Sequence, residues 1–242
     1  MIKLAISGCR GRMGERIYHL AKDDAELKVA CLLENKNHPD IGTSLDSMKV
    51  SDNLQNLKGC DVLIEFTTPE ATIHHLEFCQ KLGVKIVIGT TGLTAGQVKK
   101  IEGASRKLPI VFSSNMSVGV NLFFRLIKDA AKMIPAHYQM KIVEAHHIHK
   151  KDAPSGTAKT AAKIVEGVSR RKVADIQSLR DGEIVGDHDL IFESPEDSIT
   201  IRHHAKTRDI FAKGALVAAK FLANKDKGLF TMQDVLNLAE DK

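Results

Sequence analysis

The sequence of 242 residues contains no tryptophan, two tyrosines and four cysteines. The cysteines, at positions 9, 31, 60 and 79, show no C-x-x-C spacing and lie in or beside apolar stretches. This pattern favours buried, reduced thiols over a disulfide framework or a zinc site. No apolar run approaches the length of a membrane span, and the first residues lack the apolar core of a secretory signal. We therefore expect a cytoplasmic protein with no membrane partner.

The charge is nearly balanced, because 35 lysines and arginines face 30 aspartates and glutamates, for a formal net charge of +5. The basic residues are scattered, and the short basic cluster at 169–172 lies in a chain that has few large aromatic side chains. Nucleic-acid binding usually needs a basic stripe and stacking aromatic residues. We expect no nucleic-acid partner, and instead an anionic metabolite and a phosphorylated cofactor.

Short, nearly all-apolar runs alternate with helical stretches in the first half of the chain. Helix starts are indicated at 68–70, where a hydroxyl cap precedes proline and an acid, and at 94–97, which reads as a capping box. Alternation of buried strands with helices predicts a doubly wound parallel sheet, and hence an α/β fold. The predicted strands are 2–7, 27–33, 61–65, 84–88 and 109–112.

The pattern changes after residue 115. We predict a helix at 117–134, a strand at 138–146, a helix at 155–168, strands and loops over 176–206, a helix around 211–222 and a short helix at 231–238. This organisation predicts one domain from 1–116 together with 209–242, and an inserted α+β domain at 117–208. The apolar residues that the first of these helices carries on one side are Val118, Leu122, Leu126, Ala130 and Met133.

A glycine-rich turn, Gly8-x-x-Gly11-x-Met-Gly14, follows the first predicted strand and opens the first helix. A dinucleotide pyrophosphate lies at this position in doubly wound folds, because glycines let the backbone approach the phosphates. Glu34 ends the second strand, about twenty residues after the turn, where a carboxylate accepts the ribose hydroxyls. Arg10 stands where the stricter motif has glycine.

Small polar residues follow the fourth and fifth predicted strands, at 89–92 and 113–116. Ligands bind at the carboxyl ends of strands in open α/β sheets. These residues could bond the ribose and the nicotinamide amide, and the alternative is ordinary turn chemistry.

The stretch Glu-Ala-His-His-Ile-His-Lys at 144–150 leads directly into Lys-Asp-Ala-Pro-Ser-Gly-Thr-Ala at 151–158. The second part predicts a helix start with Asp152 or Ser155 as cap and Pro154 in the first turn. A helix N-terminus binds carboxylates or phosphates, and histidines supply proton chemistry near neutral pH. The segment predicts an active site for an anionic substrate that must gain a proton.

A metal site built from His146, His147 and His149 is the competing interpretation. These positions are adjacent or alternate on a predicted strand, where neighbours point to opposite faces, so few of them can converge on one ion. We expect no metal, and a structural role for one or two of the histidines.

The motifs at 8–14, 61–67, 87–92, 115–121, 144–158 and 213–215 together resemble those of the dihydrodipicolinate reductases (4-hydroxy-tetrahydrodipicolinate reductases) of the diaminopimelate route to lysine. The resemblance covers nearly the whole chain, and the segment 144–158 is its most specific part. It implies an oxidoreductase with a Rossmann-like domain for NADH or NADPH, and an inserted substrate and oligomerisation domain whose sheet builds a homotetramer.

The resemblance also implies roles for individual residues. His146 matches the proton donor and Lys150 the second donor, which also binds substrate, while His147 matches a substrate contact. Ser155, Gly156 and Thr157 match the loop that holds a substrate carboxylate, and Arg208 matches a basic residue near the cofactor or the domain boundary. The matched cofactor contacts are Gly8, Cys9, Arg10, Gly11, Arg12, Met13, Glu34, Gly89, Thr90, Thr91, Ser113, Ser114, Asn115 and Met116.

In the expected reaction, the nicotinamide delivers hydride to a cyclic conjugated imine bearing two carboxylates, and His146 supplies a proton. Glu34 favours a free pair of ribose hydroxyls, and hence NADH. Where members of that family carry arginine next to this acid, the chain has Asn35 and then Lys36, so only Lys36 and Arg10 or Arg12 of the turn are left to meet a 2′-phosphate. We expect NADH to be preferred and NADPH tolerated. Two alternatives are an amino-acid dehydrogenase, such as one acting on aspartate, and a non-catalytic dinucleotide sensor.

Overall fold

The computed structural model describes residues 1–238, and the chain divides into two compact units. The first unit comprises Met1–Ser117 together with the chain from Phe211 onward, and the second comprises Val118–Ile210. Residues 239–242 of the predicted segment 209–242 lie outside the described residues. The assignment of cofactor to one predicted domain and of substrate and oligomerisation to the other stays a prediction. Within the described part, no helix is both long and apolar enough to cross a bilayer.

Strands and helices alternate along the first unit, as the sequence predicts. In chain order the elements are β1 (Ile2–Ser7), α1 (Arg12–Lys22), β2 (Leu27–Leu33), β3 (Ser44–Leu45), β4 (Met48–Ser51), β5 (Val62–Glu65), α2 (Pro69–Leu82), β6 (Lys85–Ile88), α3 (Ala95–Ser105), β7 (Pro109–Phe112), α4 (Val118–Met133), β8 (Gln139–His146), α5 (Gly156–Ser169), β9 (Asp175–Arg180), β10 (Gly186–Glu193), β11 (Ser198–Ala205), α6 (Asp209–Ala223), β12 (Gly228–Phe230) and α7 (Met232–Val235).

The sheet of the first unit has the strand order β12-β7-β6-β5-β1-β2-β4-β3, and all pairings are parallel except that of β3 with β4. Both faces of this sheet are covered: Leu4 and Ile6 of β1 belong to one apolar core, and Ala5 between them belongs to another. A strand buried on both faces needs a continuous apolar run, which is why these strands do not alternate in polarity. The predicted doubly wound fold is confirmed, and β1 lies at the switch in strand order.

The second unit contains a four-stranded sheet in the order β11-β10-β8-β9. β10 runs antiparallel to both of its neighbours, while β8 and β9 are parallel. Helices α4 and α5 pack together, and their buried side chains share one core with the sheet. The core includes Phe123, Phe124, Ile127, Ala161, Val165, Leu190 and Phe192.

Two details of the prediction for this unit are wrong. The apolar side of α4 named from the sequence is not the side that packs: Val118, Leu122, Leu126 and Met133 are exposed, and the buried side is formed by the neighbouring stripe that includes Phe123. Most of the circumference of α4 is apolar, so spacing alone does not identify the buried side. Pro154 is not in the first turn of α5, because the helix begins at Gly156 after the cap residue Ser155.

The four cysteines are buried and free, as predicted. The two predicted helix caps are also present. Thr68, which precedes Pro69, accepts a hydrogen bond from the Ala71 amide, and Thr94 and Gln97 form a capping box. The short strands β3, β4 and β12 were not predicted, because each is held by pairing with a distant or neighbouring strand rather than by a local apolar run.

Candidate functional site

The backbone requires glycine at two positions of the turn between β1 and α1. Gly8 has φ of +67°, in the left-handed region that favours glycine. A Cβ atom at Gly14 would lie 2.0 Å from the Gly8 carbonyl oxygen, so α1 can approach the turn only because residue 14 is glycine. Gly11 occupies the N-cap of α1. The positive end of that helix is therefore presented at the turn.

A cavity of about 600 Å³ opens beside this turn in the first unit. Glu34 borders this cavity, and its carboxylate accepts hydrogen bonds from the backbone amides of Arg10, at 3.0 Å, and of Asn35, at 2.8 Å. These two hydrogen bonds hold the carboxylate at the cavity wall. The lining residues are Ser7, Gly8, Arg10, Gly11, Glu34, Asn35, Lys36, His38, Asp52, Leu54, Phe66, Thr67, Thr68, Ala71, His74 and His75.

Polar groups near this cavity include a set that the sequence analysis did not identify. Glu65, at the end of β5, is fully buried, and its Oε2 lies 2.6 Å from His75 Nδ1. The Thr67 hydroxyl donates to the same carboxylate, and Ser7 Oγ lies 3.2 Å from His75 Nδ1. The segment 61–67 was noted only for its resemblance to a family, and His75 comes from α2, which no local motif connects to Glu65.

The Arg10 side chain is paired with two acidic residues. Its Nε lies 2.5 Å from Asp40 Oδ2, and its guanidinium lies 3.0 Å from Glu15 Oε1. The hydrogen bond from Arg10 is the main cause of the lowered pKa of Asp40. The positive charge of Arg10 is thus already balanced, while Lys36 also lines the cavity.

Other predicted cofactor contacts do not line this cavity. Thr90 is buried, and its hydroxyl accepts hydrogen bonds from the Thr67 amide at 3.2 Å and from the Thr72 hydroxyl at 2.8 Å. Burial raises the pKa of the Cys9 thiol to about 12, so it stays protonated. A cofactor role stays a prediction for all of the matched residues, including those that line the cavity. Those that do not line it are Cys9, Arg12, Met13, Gly89, Thr90, Thr91, Ser113, Ser114, Asn115 and Met116.

The second unit places a buried carboxylate beside His146 at the end of β8. Glu144 is fully buried, and its Oε2 lies 2.5 Å from His146 Nδ1. Arg180 donates to both oxygens of this carboxylate, at 2.9 and 3.1 Å, and the Ser155 amide donates to Oε1 at 3.2 Å. Burial alone would raise the pKa of Glu144, but hydrogen bonds from Arg180, Ser178 and His146 outweigh it and lower the pKa to about 2.

His188 completes this buried group from β10. Its Nε2 lies 3.1 Å from Ser155 Oγ, and its ring centroid is 5.1 Å from that of His146. Burial lowers the pKa of His188 to about 4, so this imidazole is neutral at physiological pH. Burial also lowers the pKa of His146, and the neighbouring Glu144 carboxylate opposes part of that shift.

Lys150 and His147 have partners of their own in the second unit. The Lys150 ammonium lies 2.8 Å from Asp152 Oδ1. His147 Nε2 lies 3.4 Å from the Arg208 guanidinium, and its buried Nδ1 has no hydrogen-bond partner among residues 1–238. Arg208 is therefore placed beside a predicted substrate residue. His149, in contrast, pairs at 3.1 Å with Glu183, and both side chains are exposed.

Glu144, His146 and His188 each offer a ligand atom within 4.8 Å of the others, which is close enough for one metal ion. The carboxylate is already shared by Arg180, His146 and the Ser155 amide. The Arg180 guanidinium, 2.9 Å from Glu144 Oε1, also opposes the approach of a cation. The arrangement is that of a hydrogen-bonded network around the His146 imidazole. This group differs from the trio His146, His147 and His149 considered from the sequence, and the absence of a metal stays a prediction.

The first unit has the fold of dinucleotide-dependent oxidoreductases, with a glycine turn and an acidic residue at the switch point of a doubly wound sheet. Comparison with known families identifies the particular group. Residues 2–116 match the model of the dihydrodipicolinate reductase N-terminus, and residues 119–236 match that of its C-terminus. The chain belongs to the dihydrodipicolinate reductase family.

Individual relatives agree with this assignment. The chain is 41% identical to the 4-hydroxy-tetrahydrodipicolinate reductase of Nitrosomonas eutropha, over 98% of this chain and 99% of that protein. It is 39% identical to the enzyme of the same name from Nitrosomonas europaea, over 98% of each chain. A solved structure of dipicolinate-bound dihydrodipicolinate reductase from Paenisporosarcina sp. TG-14 is 25% identical, with a TM-score of 0.81, and the match covers 97% of this chain and 98% of that chain.

Proposed function

We propose that the chain reduces 4-hydroxy-tetrahydrodipicolinate to tetrahydrodipicolinate in the diaminopimelate route to lysine, with NADH or NADPH as reductant. The observation that carries the catalytic assignment is the contact between Glu144 and His146, because the carboxylate orients the imidazole as a proton carrier. Family membership favours this reaction over an amino-acid dehydrogenase. Retention of His146 and Lys150 argues against a non-catalytic sensor.

The cavity of the first unit fits a dinucleotide. Gly8 and Gly11 permit close approach of phosphates to the backbone, at the positive end of α1. Glu34, held by two backbone amides, is placed to accept the ribose hydroxyls. When bound, the cofactor supplies the hydride. The contacts at 89–91 and 113–116 are proposed on the resemblance alone.

The second unit holds the groups proposed for the substrate. The N-terminus of α5 at Ser155, Gly156 and Thr157 is proposed to bind one carboxylate, since helix N-termini favour anions. Lys150 is proposed to exchange its contact with Asp152 for the second carboxylate and to act as second proton donor.

His147 is proposed to contact the substrate, and Arg208 is proposed to act beside it rather than at the cofactor. His146, protonated on Nε2, is proposed to donate a proton as the ring becomes electron-rich.

NADH is proposed as the preferred reductant, with NADPH tolerated. A 2′-phosphate would have to displace acidic partners from Arg10 or rely on Lys36, and Glu34 would oppose its charge. A ratio of kcat/KM values below one for NADH over NADPH would contradict this preference.

A cytoplasmic homotetramer is also proposed, with the sheet of the second unit as its interface. Exposed apolar side chains on its strands, Leu179 of β9 and Ile199 of β11, support this assignment. Light scattering coupled to size exclusion measures the mass directly, and a monomer at micromolar concentration would contradict it.

The reaction is tested with substrate generated in situ by a synthase from pyruvate and aspartate semialdehyde, while nicotinamide oxidation is followed. We expect turnover that is lost in the double variant His146→Gln, Lys150→Ala. No turnover by folded wild-type protein that binds NADH would overturn the reductase proposal. Activity with aspartate and the oxidised cofactor instead would support the dehydrogenase.

A further inference from the structure

We propose that Glu144 and Arg180 form a positioning pair that determines which nitrogen of His146 carries the exchangeable proton. In this role neither side chain needs to contact the substrate or the cofactor. The inference rests on the proposed function in one respect, namely that His146 is the acid. Its structural part, the tautomer of His146, is independent of any activity.

Glu144 is held as an ionised carboxylate by Arg180. Arg180 meets both oxygens of the carboxylate in a bidentate arrangement, which is the strongest geometry for such a pair. An ionised carboxylate has acceptors only. His146 Nδ1, 2.5 Å from Oε2, must therefore donate, and Nδ1 carries a hydrogen in both charge states of the ring. The proton that comes and goes is then the one on Nε2.

The space around His146 Nε2 is kept open by a glycine. A Cβ atom on Gly186 would lie 3.1 Å from His146 Nε2 and 3.6 Å from the His188 ring. Any larger residue at this position would crowd Nε2, the nitrogen whose proton is exchanged. Two features therefore favour Nε2 as the reactive nitrogen of His146: the orientation imposed by Glu144, and the absence of a side chain at Gly186.

Glu144 also connects His146 to the proposed carboxylate site at the start of α5. Glu144 Oε1 accepts the Ser155 amide at 3.2 Å, and Ser155 caps α5 through the Ala158 amide at 3.2 Å. Ser155 Oγ also lies 3.1 Å from His188 Nε2. One carboxylate therefore orients the imidazole and holds the first residue of the loop, so that a displacement of Glu144 disturbs both.

The charged and titratable groups around His146 have opposing effects on its pKa. Burial lowers it, the Glu144 carboxylate raises it, and Lys150 and Arg180 lower it. His188 faces the ring from β10 and is neutral above about pH 4. Removing the negative charge of Glu144 must then lower the pKa of His146, whereas removing the positive charge of Arg180 must raise it.

The test is the pH dependence of kcat/KM, which reports the pKa of the acid in the free enzyme. In Glu144→Gln the alkaline limb is expected to move to lower pH, with a loss of about 10²-fold at pH 8. In Arg180→Gln the limb is expected to move to higher pH. Glu183→Gln, which alters the exposed pair with His149, is the matched control and is expected to leave the profile unchanged.

A purely structural role would lower the activity of both variants without moving the limb in opposite directions, and that result would overturn the proposal. The ¹⁵N chemical shifts of His146 in wild-type protein provide a readout that needs neither activity nor a folded variant. We expect a neutral ring with hydrogen on Nδ1, and hydrogen on Nε2 would contradict the proposal. If wild-type protein is inactive but shows the Nδ1–H tautomer, the proposed reaction fails and the positioning pair stands.

Discussion

Each unit contains a fully buried glutamate in contact with the Nδ1 atom of a histidine, but the two pairs differ in their other partners. Glu65 and His75 lie 2.6 Å apart, and Glu144 and His146 lie 2.5 Å apart. Glu144 is also held by a bidentate guanidinium, whereas hydroxyl groups contact the first pair. Hydroxyl protons rotate to suit their surroundings, while a guanidinium only donates. The second pair is therefore arranged to impose one tautomer, and the first forms an adaptable polar wall beside a cavity.

The largest effect expected from this difference is on turnover. His146→Gln should lower kcat by about 10²–10⁴-fold, since it removes the general acid. His75→Gln should leave kcat within about threefold and raise the KM for NADH by roughly tenfold, the equivalent of one lost polar contact. Steady-state kinetics at saturating substrate separates the two parameters. Equal losses of kcat in both variants would mean that the two pairs have the same role.

The next effect concerns stability at low pH. The folded-state pKa of Glu144 is about 2, below its ordinary value of 4.5. Its ionisation therefore stabilises the folded protein above about pH 4.5, and this contribution is lost as the pH falls towards 2. We expect Glu144→Gln to lower the free energy of unfolding at pH 7 by on the order of 2 kcal/mol, because Arg180 is partly solvent-exposed and screening reduces the full effect.

Urea denaturation at several pH values measures this difference. The gap between wild type and Glu144→Gln should narrow as the pH falls below 4.5. The exposed Glu183→Gln serves as the control, with an expected change within about 0.5 kcal/mol at every pH. A gap that stays constant down to pH 2 would contradict the depressed pKa of Glu144.

A smaller effect is expected from crowding the acid. Gly186→Ala places a methyl group 3.1 Å from His146 Nε2, so we expect kcat to fall about tenfold while the fold is retained. Gly103→Ala, at a position of α3 where a Cβ atom meets nothing within 4 Å, is the matched control. It should leave kcat unchanged and add about 0.5–1 kcal/mol of stability. Unaltered kcat in Gly186→Ala would mean that this side of the ring is not the reactive one.

The smallest effect concerns cofactor choice in the first unit. Asp40→Asn removes one acidic partner of Arg10, so the guanidinium becomes more available to a 2′-phosphate. We expect kcat/KM for NADPH to rise about threefold relative to that for NADH, because a partly exposed ion pair contributes at most about 1 kcal/mol. The rise should disappear in high salt. Asp46→Asn, which removes a partner of Lys22, controls for the loss of charge, and an equal rise there would exclude a specific effect of Arg10.

Local signals in the sequence were sufficient for most of the first unit. The bounds of β1, β2 and β7 match their apolar runs, and the caps at Thr68 and Thr94 follow from short-range hydrogen bonds. The strand β12 was missed because three residues that pair only with β7 leave no periodic pattern. The exposed side of α4 was not recognised as such for a related reason, since burial depends on what packs against the helix.

The candidate site shows the same limit. His146 and Lys150 lie within one recognisable segment, so the sequence identified them as candidates. Arg180 and His188 were not identified, although both contact that segment, because they come from strands that approach it only after folding. Nothing in the sequence next to Arg180 indicates that its partner is Glu144, 36 residues away. Long-range ion pairs must be read from structure.

The register of the strands in the second sheet determines which mutations are expected to disturb His146. In the pairing of β8 with β9, His146 lies beside Arg180, and in the pairing of β8 with β10, Glu144 lies opposite His188. Side chains alternate between the faces of a sheet, so a slip of one residue would carry each partner to the other face. Insertion of a single residue into β9 is therefore expected to be more harmful to the acid than many substitutions within the strand. The position of the exchangeable proton on His146 thus depends on the register of three strands, β8, β9 and β10.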